Sequence, residues 1–550
     1  MRAFFLFITL IVWLSACQTN STKKEVDLIV YNAKVYTVNA TFETAEAFAI
    51  NEGKFVAIGT TQDIKQKYQA KTEIDAKNKS IYPGLYDAHC HFYGYGQFLQ
   101  EVNLVGTNSP AEIIEKLKEY QRKNPQKTWI VGRGWDQNDW EKKEFPTKEM
   151  LDAVFPDQPV FLTRVDGHAA WVNSKAMKIA GISETQNVTI EGGSVMQKDN
   201  KNTGIFVDNA TLLIEKHIPP YSATDMQKAL QDAQAQCFAV GLTTVSDAGL
   251  GREVLEVIDQ MHKKGTLDMR IYAMLSSDEA TLAYYLPKGI YKTDKLSIRS
   301  VKVYADGALG SRGACLLAPY ADRPNEKGFL LRSPDSLKIL IERIAEKGFQ
   351  ANTHCIGDSA NRLILNLYAH LLKGKNDKRW RIEHAQVVEE ADFAKFGQYN
   401  ILPSVQPTHA TSDMYWAGDR LGNTRLKNAY AFKKLYEQNQ MIPFGSDFPV
   451  EHINPLYGFH AAVARKDAKG FPEKGFQMEN AVSREIALKA MTIWAAFANF
   501  EEKERGSIEV GKMADFIITM EDFMQVPEEK IREVSIWQTF VGGKKVYEKK

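Results

Sequence analysis

The stretch that decides the fold is Ile81-Tyr82-Pro83-Gly84-Leu85-Tyr86-Asp87-Ala88-His89-Cys90-His91. An apolar run with a Pro-Gly pair indicates a strand rather than a helix. Side chains alternate across a strand, so His89 and His91 project to one side and Cys90, which receives no role, to the other. Two imidazoles on one rigid face can bind a transition-metal ion. Two histidines in an exposed turn are an equally good interpretation of this motif alone, so the remaining chain must decide.

Further strand-like runs follow this stretch, and helical patterns such as 336–347 and 358–372 separate them. Alternating strands and helices predict a parallel sheet, and eight of each predict a closed barrel. We therefore expect an α/β protein built on a (β/α)8 TIM barrel. The seven later strands are predicted at 241–247, 270–275, 300–306, 350–354, 380–384, 402–407 and 441–447.

The regions outside the predicted barrel strands divide into two further units. Both ends of the mature chain are rich in strand and turn patterns, which predicts one β-sandwich assembled from both termini. The gap between the first and second barrel strands is too long for a loop and has strand-like runs of its own, so it predicts an inserted α+β lobe. The expected units are the sandwich (18–80 and 500–550), the barrel (81–99 and 226–499) and the lobe (100–225).

The first residues predict an export signal. Met1-Arg2 is a short basic start, 4–14 is apolar, and Leu14-Ser15-Ala16-Cys17 resembles a bacterial lipoprotein cleavage box. We expect residues 1–17 to be the signal region and Cys17 to be lipidated, which would anchor the protein to a bacterial membrane, facing the periplasm or the exterior. An ordinary signal peptide or a short membrane anchor is the alternative.

Composition narrows the classes of partner. The apolar fraction of 44% and charged fraction of 25% are those of a globular protein, and the net charge is +1 without a long run of one sign. This gives no support for nucleic-acid binding. We expect a small-molecule substrate and contact with the membrane through the N-terminal lipid only, and a homodimer is compatible with the sequence.

Polar residues fall at the carboxyl ends of the predicted barrel strands, where catalytic groups of such barrels collect. Each one alone has an ordinary structural explanation, such as a buried histidine, a salt-bridged lysine or a turn. Their joint placement on separate strands is what predicts a site. These residues are His89 and His91 on the first strand, Lys302 on the fourth, His354 on the fifth, His384 on the sixth and Asp447 on the eighth.

This pattern strongly resembles the amidohydrolase superfamily over nearly the whole mature chain. Residues 83–91 match its metal motif, and Gly506-Ser507-Ile508-Glu509-Val510-Gly511-Lys512-Met513-Ala514-Asp515 matches its return into the sandwich. Four segments together resemble the YtcJ-like subgroup, which includes N-substituted formamide deformylase. They are Gly132-Arg133-Gly134-Trp135-Asp136, residues 164–173, residues 302–312 and Ser404-Val405-Gln406-Pro407-Thr408-His409.

The resemblance implies a role for each site residue. His89, His91 and Asp447 would hold one divalent ion, and His354 and His384 a second, with zinc expected at both. Lys302 would bridge the ions as a carboxylated lysine, because a free ammonium has no lone pair for a metal; a single ion beside an unmodified Lys302 is the alternative.

The implied activity is hydrolysis of a non-peptide C–N bond, in an amide or cyclic amide. The metal would activate water. Asp447 would orient that water, accept its proton and pass it to the leaving nitrogen. His168 and His409 would lie at the mouth and bind the substrate carbonyl, and Trp135 would line the pocket, although each also fits a structural role. One alternative is that the same site cleaves an ester, deaminates its substrate or hydrolyses a phosphoester. A further alternative is a lipid-anchored binding protein without turnover.

Overall fold

The computed structural model describes residues 23–550. Its central element is a sheet of parallel strands whose neighbours in space are also neighbours along the chain. The strands are Leu85–Cys90, Leu242–Leu250, Arg270–Leu275, Leu296–Tyr304, Gln350–Cys355, Arg381–His384 and Leu402–Ser404. A short strand, Tyr291–Lys292, pairs antiparallel with the fourth.

The run 441–447 closes the sheet into a barrel. On one side, Val405 donates to the Pro443 carbonyl and Gly445 donates to the Val405 carbonyl; on the other, the Phe444 carbonyl accepts from the Ala88 amide. The run is not a regular strand, because Pro443 has no N–H and its end at Asp447 is in the left-handed region, at φ 62°. The predicted TIM barrel is thereby confirmed.

Helices cover the outside of the barrel, and their sequences explain their positions. In Pro334–Glu346, for example, proline occupies the first turn and the Ser333 hydroxyl accepts from the Ser336 amide at the N-terminus. Leu337, Leu340, Ile341 and Ile344 recur at helical spacing and are all buried. The other helices around the barrel are Ala223–Ala239, Arg252–Lys264, Glu279–Tyr285, Asp358–Leu372, Phe393–Gln398, Phe432–Asn439, Pro455–Ala464, Arg484–Ala490 and Ile493–Ala498.

Both ends of the described chain form the sandwich. One sheet contains only N-terminal strands, and the other joins N- and C-terminal strands in a single ladder, with Ile517 opposite Tyr82. The strand Ser80–Pro83 belongs to this second sheet, so the sandwich extends three residues past the expected boundary at residue 80. The sheets contain, in spatial order, Lys54–Gly59, Ala47–Asn51, Lys24–Tyr31 and Tyr68–Asp75, and Lys544–Glu548, Ile536–Val541, Phe516–Thr519, Ser80–Pro83, Lys34–Tyr36 and Thr44–Ala45.

The lobe between the first and second barrel strands has a sheet and core of its own. Its core is centred on apolar side chains that include Leu117, Trp135, Leu162 and Trp171. The sheet contains, in spatial order, Gly193–Lys198, Lys201–Asp208, Ala169–Val172, Val160–Arg164, Ile130–Trp135 and Val102–Asn103. The lobe helices are Pro110–Lys123, Lys148–Asp152, Ser174–Ile179 and Leu212–Glu215.

Two sequence expectations concern the membrane and the cysteines. The predicted signal region 1–17 and the lipidation residue Cys17 lie outside the described residues. Within residues 23–550, no helix has both the length and the apolar character needed to cross a bilayer. The four cysteines of this part of the chain are free thiols; Cys90, Cys237 and Cys355 are buried and Cys315 is partly exposed.

Candidate metal centre

The barrel brings the six predicted ligands together at its carboxyl end. His89 lies near the end of the first strand, Lys302 in the fourth, and His354 and His384 at the ends of the fifth and sixth. Asp447 ends the closing run, where its amide donates to the His89 carbonyl over 2.8 Å. All but His91, which is partly exposed, are buried.

His89, His384 and Asp447 form the tightest group, with one ligand atom of each within 4.8 Å of the others. His91 adjoins it, because its Nε2 lies 3.2 Å from Asp447 Oδ1. The ring centre of His354 lies 4.5 Å from that of His384. The resemblance had implied that His384 pairs with His354 and that Asp447 pairs with His89. The tightest group joins members of both sets, so the six residues form one connected cluster.

Hydrogen bonds from outside the cluster orient three of the imidazoles. Nδ1 of His89 lies 2.6 Å from Glu383 Oε2, Nδ1 of His91 lies 3.0 Å from the Ala248 carbonyl, and Nδ1 of His384 lies 2.7 Å from Gln406 Oε1. An oxygen of this kind only accepts, so each Nδ1 donates and each Nε2 keeps its lone pair. This is how metal-binding histidines are held in proteins.

The backbone also turns the ligands inward. His384 and Asp447 have φ angles of 74° and 62°, in the left-handed region that side chains other than glycine rarely adopt. The turn at His384 follows Glu383 directly, and both side chains are buried beside His89. Such conformations persist where surrounding structure enforces them, and they cluster at functional sites.

Electrostatics of the cluster suit a cation. Burial lowers the pKa of His384 and His354 well below the ordinary value, so both imidazoles are neutral and able to bind a metal. Burial alone would raise the pKa of Asp447, but the adjacent imidazole of His409 holds it well below its usual range. Asp447 Oδ1 is buried and has no hydrogen-bond partner among the described residues.

Lys302 lies in contact with this group. Its Nζ is 2.8 Å from Nε2 of His89, and no carboxylate of the described residues lies within salt-bridge distance of it. Burial lowers its pKa to about 8, despite the negative charges of Asp447 and Glu383. Neutral imidazoles, a carboxylate with a free oxygen and an easily deprotonated lysine are a donor set that fits a divalent cation.

A cavity of about 250 Å³ opens onto the cluster from the space between barrel and lobe. His354, His384 and Asp447 lie on its floor, and His168 and His409 on its walls. His409 lies between Glu451, 2.9 Å from Nδ1, and Asp447, 3.5 Å from Nε2. Burial opposes its charge, but these carboxylates raise its pKa to about 10.

His168 is held in a similar way by the lobe. Its Nδ1 lies 2.6 Å from Asp208 Oδ1, and its ring centre lies 5.1 Å from that of His354. Burial opposes protonation, but the hydrogen bond to Asp208 raises the pKa of His168. Both wall histidines are therefore held at the cavity by carboxylates, His168 by Asp208 and His409 by Glu451 and Asp447.

The prediction that Trp135 lines the substrate pocket is wrong. Its side chain is fully buried in the lobe core, and its indole N–H donates to the Leu162 carbonyl over 2.7 Å. It does not line the cavity. Alternation along the strand Ile130–Trp135 directs this side chain into the lobe, and the indole on the cavity wall is that of Trp416, which the sequence analysis did not select.

Sequence reasoning also missed the groups behind the ligands. Asp87 accepts from the Ser446 hydroxyl over 2.6 Å and from the backbone amides of His89 and Ser446, which ties the first strand to the closing run. Glu383 and Gln406 orient His89 and His384. Their positions in the sequence could have indicated this role, because Asp87 and Glu383 each lie within two residues of a predicted ligand.

The closed barrel carries imidazoles and a buried carboxylate that face inward at its carboxyl end. This combination is typical of the metal-dependent hydrolases built on such a barrel. The chain belongs to the amidohydrolase family, whose model matches residues 72–547. It is 32% identical over 527 residues to "Putative amidohydrolase YtcJ" of Bacillus subtilis, covering 94% of this chain and 98% of that one.

A second relative and a solved structure agree with this assignment. The chain is 24% identical over 548 residues to the N-substituted formamide deformylase of Arthrobacter pascens, covering 95% and 98% of the two chains. An uncharacterized metal-dependent hydrolase from Pyrococcus horikoshii has a TM-score of 0.74 and 27% identity, and the match covers 91% of this chain and 99% of that one. These findings support a metal-dependent hydrolase that acts on a small molecule.

Proposed function

We propose that this protein hydrolyses a non-peptide C–N bond, an amide or cyclic amide, in a small molecule. The observation that carries the proposal is the buried group of His89, His384 and Asp447 on the floor of a cavity of about 250 Å³. Such a cavity takes a small organic substrate but not a folded partner. The name of the formamide deformylase relative agrees with C–N cleavage.

We propose two zinc ions as the cofactor, held by His89, His91, His354, His384 and Asp447, with carboxylated Lys302 between them. Bound divalent zinc supplies Lewis acidity, which activates water near neutral pH and polarises a carbonyl. The pKa of about 8 favours the modification, because only a neutral amine reacts with CO2. A single ion with unmodified Lys302 is the alternative.

The protein's own groups supply the proton transfers and the orientation. Asp447 is a carboxylate at neutral pH, and it is the group placed to accept a proton from the attacking water and return it to the leaving nitrogen. His168 and His409 line the cavity, where we propose that they orient the substrate carbonyl and stabilise its developing negative charge. No serine or cysteine nucleophile is required.

The direct test is a screen of metal-replete protein against N-formyl and N-acyl amines, lactams and hydantoins, with metal content measured on the same sample. We expect bound zinc, turnover of at least one amide class, and loss of turnover in His384→Ala and Asp447→Ala. His370→Ala, at an exposed helix position, is the matched control and should remain active. Full activity in metal-free protein would refute the proposal.

The same site could act on a different bond. Esters, phosphoesters and aminopurines in the same screen separate ester hydrolysis, phosphoester hydrolysis and deamination from amide cleavage. A lipid-anchored binding protein would instead bind a ligand tightly without turnover while fully loaded with metal.

We also propose that the protein is exported and lipid-anchored at Cys17, with the barrel facing the periplasm or exterior. The cleavage-box pattern of residues 14–17 supports this proposal. To test this, cells would be labelled with a radioactive fatty acid. We expect the wild type to carry the label, and Cys17→Ala to lose the label and be released from the membrane fraction. Light scattering on the soluble body tests for a homodimer.

A further inference from the structure

A second cleft, of about 510 Å³, lies beside the candidate active-site cavity. Asn138 and Lys143 of the lobe form one side, Arg312 and Asp322 of the segment after the fourth barrel strand another, and Arg420 of the helix Ala417–Leu426 a third. Trp416 lines both the cleft and the cavity. The two spaces are therefore neighbours that share this indole as part of their walls.

Positive charge is in excess in this cleft. Arg312 and Arg420 converge on one carboxylate: Nη2 of Arg312 donates to Asp322 Oδ2 over 2.7 Å, and Nη1 of Arg420 donates to the same oxygen. Lys143 makes no salt bridge with the described residues. Three cations therefore face two lining carboxylates, Asp322 and the exposed Asp419.

Two buried donors in the cleft walls have no acceptor. Nε of Arg420 and Nδ2 of Asn138 are both buried and without a hydrogen-bond partner among the described residues. Their residues are only 6% and 7% exposed. Arg420 Nη2 already donates to Asn138 Oδ1 over 3.1 Å, so these side chains hold each other in place with the remaining N–H groups free. A buried donor without an acceptor is unfavourable, and an acceptor oxygen bound beside these groups would satisfy them.

Arg164 in the neighbouring cavity shows the opposite arrangement. Its Nε donates to Gln137 over 2.9 Å, and its two terminal nitrogens donate to Asp136 and Asp166. Because its side chain is already neutralised on both sides, Arg164 is not available to an anion. Among residues 23–550, the cavity lining thus contains no free guanidinium, whereas the cleft has an excess of cationic donors.

We propose that the cleft is an oxyanion subsite that binds a carboxylate at the far end of the substrate, while the scissile amide lies in the cavity beyond Trp416. The claim that this carboxylate belongs to the substrate rests on the proposed function. The claim that the cleft binds an anion rests only on the residues of the cleft. The substrate class is then an N-acyl or N-formyl amine with a terminal carboxylate.

Binding of a simple carboxylate tests the site without turnover. We would titrate butyrate, its neutral analogue butyramide and inorganic phosphate into zinc-loaded protein by calorimetry. Butyrate should bind at least about tenfold more tightly than butyramide, because a charged acceptor meets unpaired donors. Equal affinities, or phosphate as the preferred ligand, would overturn the proposed carboxylate subsite.

Variants that change the charge of the cleft in opposite directions show whether butyrate binds there. Asn138→Asp keeps the shape and the Oδ1 acceptor but replaces the free donor with a negative oxygen, and should weaken butyrate binding about tenfold or more. Lys143→Gln, at an exposed position, should weaken it about threefold. Asp419→Asn removes an opposing charge and should strengthen it. Unchanged affinity in all three would place the anion elsewhere and reject the subsite.

Kinetics then separate the subsite from the proposed function. We expect wild type to prefer N-formyl-6-aminohexanoate over N-hexylformamide by about tenfold in kcat/KM, and Asn138→Asp to abolish this preference. Turnover of both amides at equal rates, without variant-dependent butyrate binding, would overturn the subsite and leave the hydrolase standing. Butyrate binding that follows the variants, without turnover of any amide, would support the anion site and refute the hydrolase.

Discussion

Glu383 holds His89 through a contact of 2.6 Å between Oε2 and Nδ1, and neither side chain has any exposed surface. Burial raises the pKa of Glu383, but the adjacent His89 more than offsets this and holds it below its usual range. The carboxylate therefore stays ionised and fixes His89 with Nε2 directed at the cluster. A buried charge–imidazole pair of this kind both orients a ligand and increases its basicity.

The first prediction concerns this pair. Glu383→Gln keeps an acceptor for His89 but removes the charge, whereas Glu383→Ala removes both. We expect zinc affinity, measured by chelator competition, to fall about 10–100-fold in Glu383→Ala and by a smaller factor in Glu383→Gln. Glu502→Gln, at a carboxylate paired with Arg379 away from the cluster, should bind zinc like the wild type. Wild-type zinc affinity in Glu383→Ala would contradict the orienting role.

Lys302 gives the second prediction. With a pKa of about 8, roughly a tenth of this amine is neutral at pH 7, against less than a thousandth for an ordinary lysine. Protein prepared in ¹³C-bicarbonate should show one carbamate carbon resonance that is missing from Lys302→Arg. The control is Lys148→Arg, because Lys148 is buried but paired with Glu149 and Glu184. A resonance that persists in Lys302→Arg would assign the carbamate to another amine.

Acid sensitivity provides the third prediction. Burial lowers the pKa of His262 to about 4, and its Nε2 donates to the Met269 carbonyl over 3.0 Å. Between pH 6.5 and 4, His262 is protonated in the unfolded chain but stays neutral in the folded protein. The free energy of unfolding therefore falls as the pH falls through that window. His262→Gln should flatten the fall in the free energy of unfolding measured by urea titration. An equal slope in both proteins would contradict it.

The ion pair between barrel and sandwich gives the fourth prediction. Nε and Nη2 of Arg270 donate to the two Asp515 oxygens over 2.7 and 3.0 Å, and both side chains are almost fully buried. Asp515→Ala leaves a buried guanidinium without its partner, so we expect a loss of about 3–5 kcal/mol in the free energy of unfolding. The exposed pair Lys545–Glu548 is the control, since solvent screens this pair and Glu548→Ala should change the free energy of unfolding far less. Equal losses would contradict the prediction.

The barrel and its ligands could be predicted because they follow chain-local patterns. Apolar runs alternate with helical ones, and several ligands end a run, as His384 and Asp447 do. The lobe could be predicted only as an insertion, since its sheet order depends on contacts between distant strands. The assignment of residues 81–83 to the barrel was wrong because an apolar run fits either sheet, and only pairing with Phe516–Thr519 decides between them.

The surroundings of the site could not be predicted in the same way. Trp135 and Trp416 are both tryptophans near polar residues, and only the three-dimensional packing places the first in the lobe core and the second on the cavity wall. The cleft is built from positions 138, 143, 312, 322 and 420, which no local pattern connects.

The mixed sheet of the sandwich has a consequence for biosynthesis. Strands Lys34–Tyr36 and Ser80–Pro83 leave the ribosome early, but their neighbour Phe516–Thr519 is made more than 400 residues later. Until then Ser80–Pro83 has an unsatisfied edge, which in an unfinished product would invite pairing with other chains. Nascent chains should therefore depend on chaperones until Phe516–Thr519 has been made, and a nonsense mutation before codon 516 should yield aggregated rather than active protein.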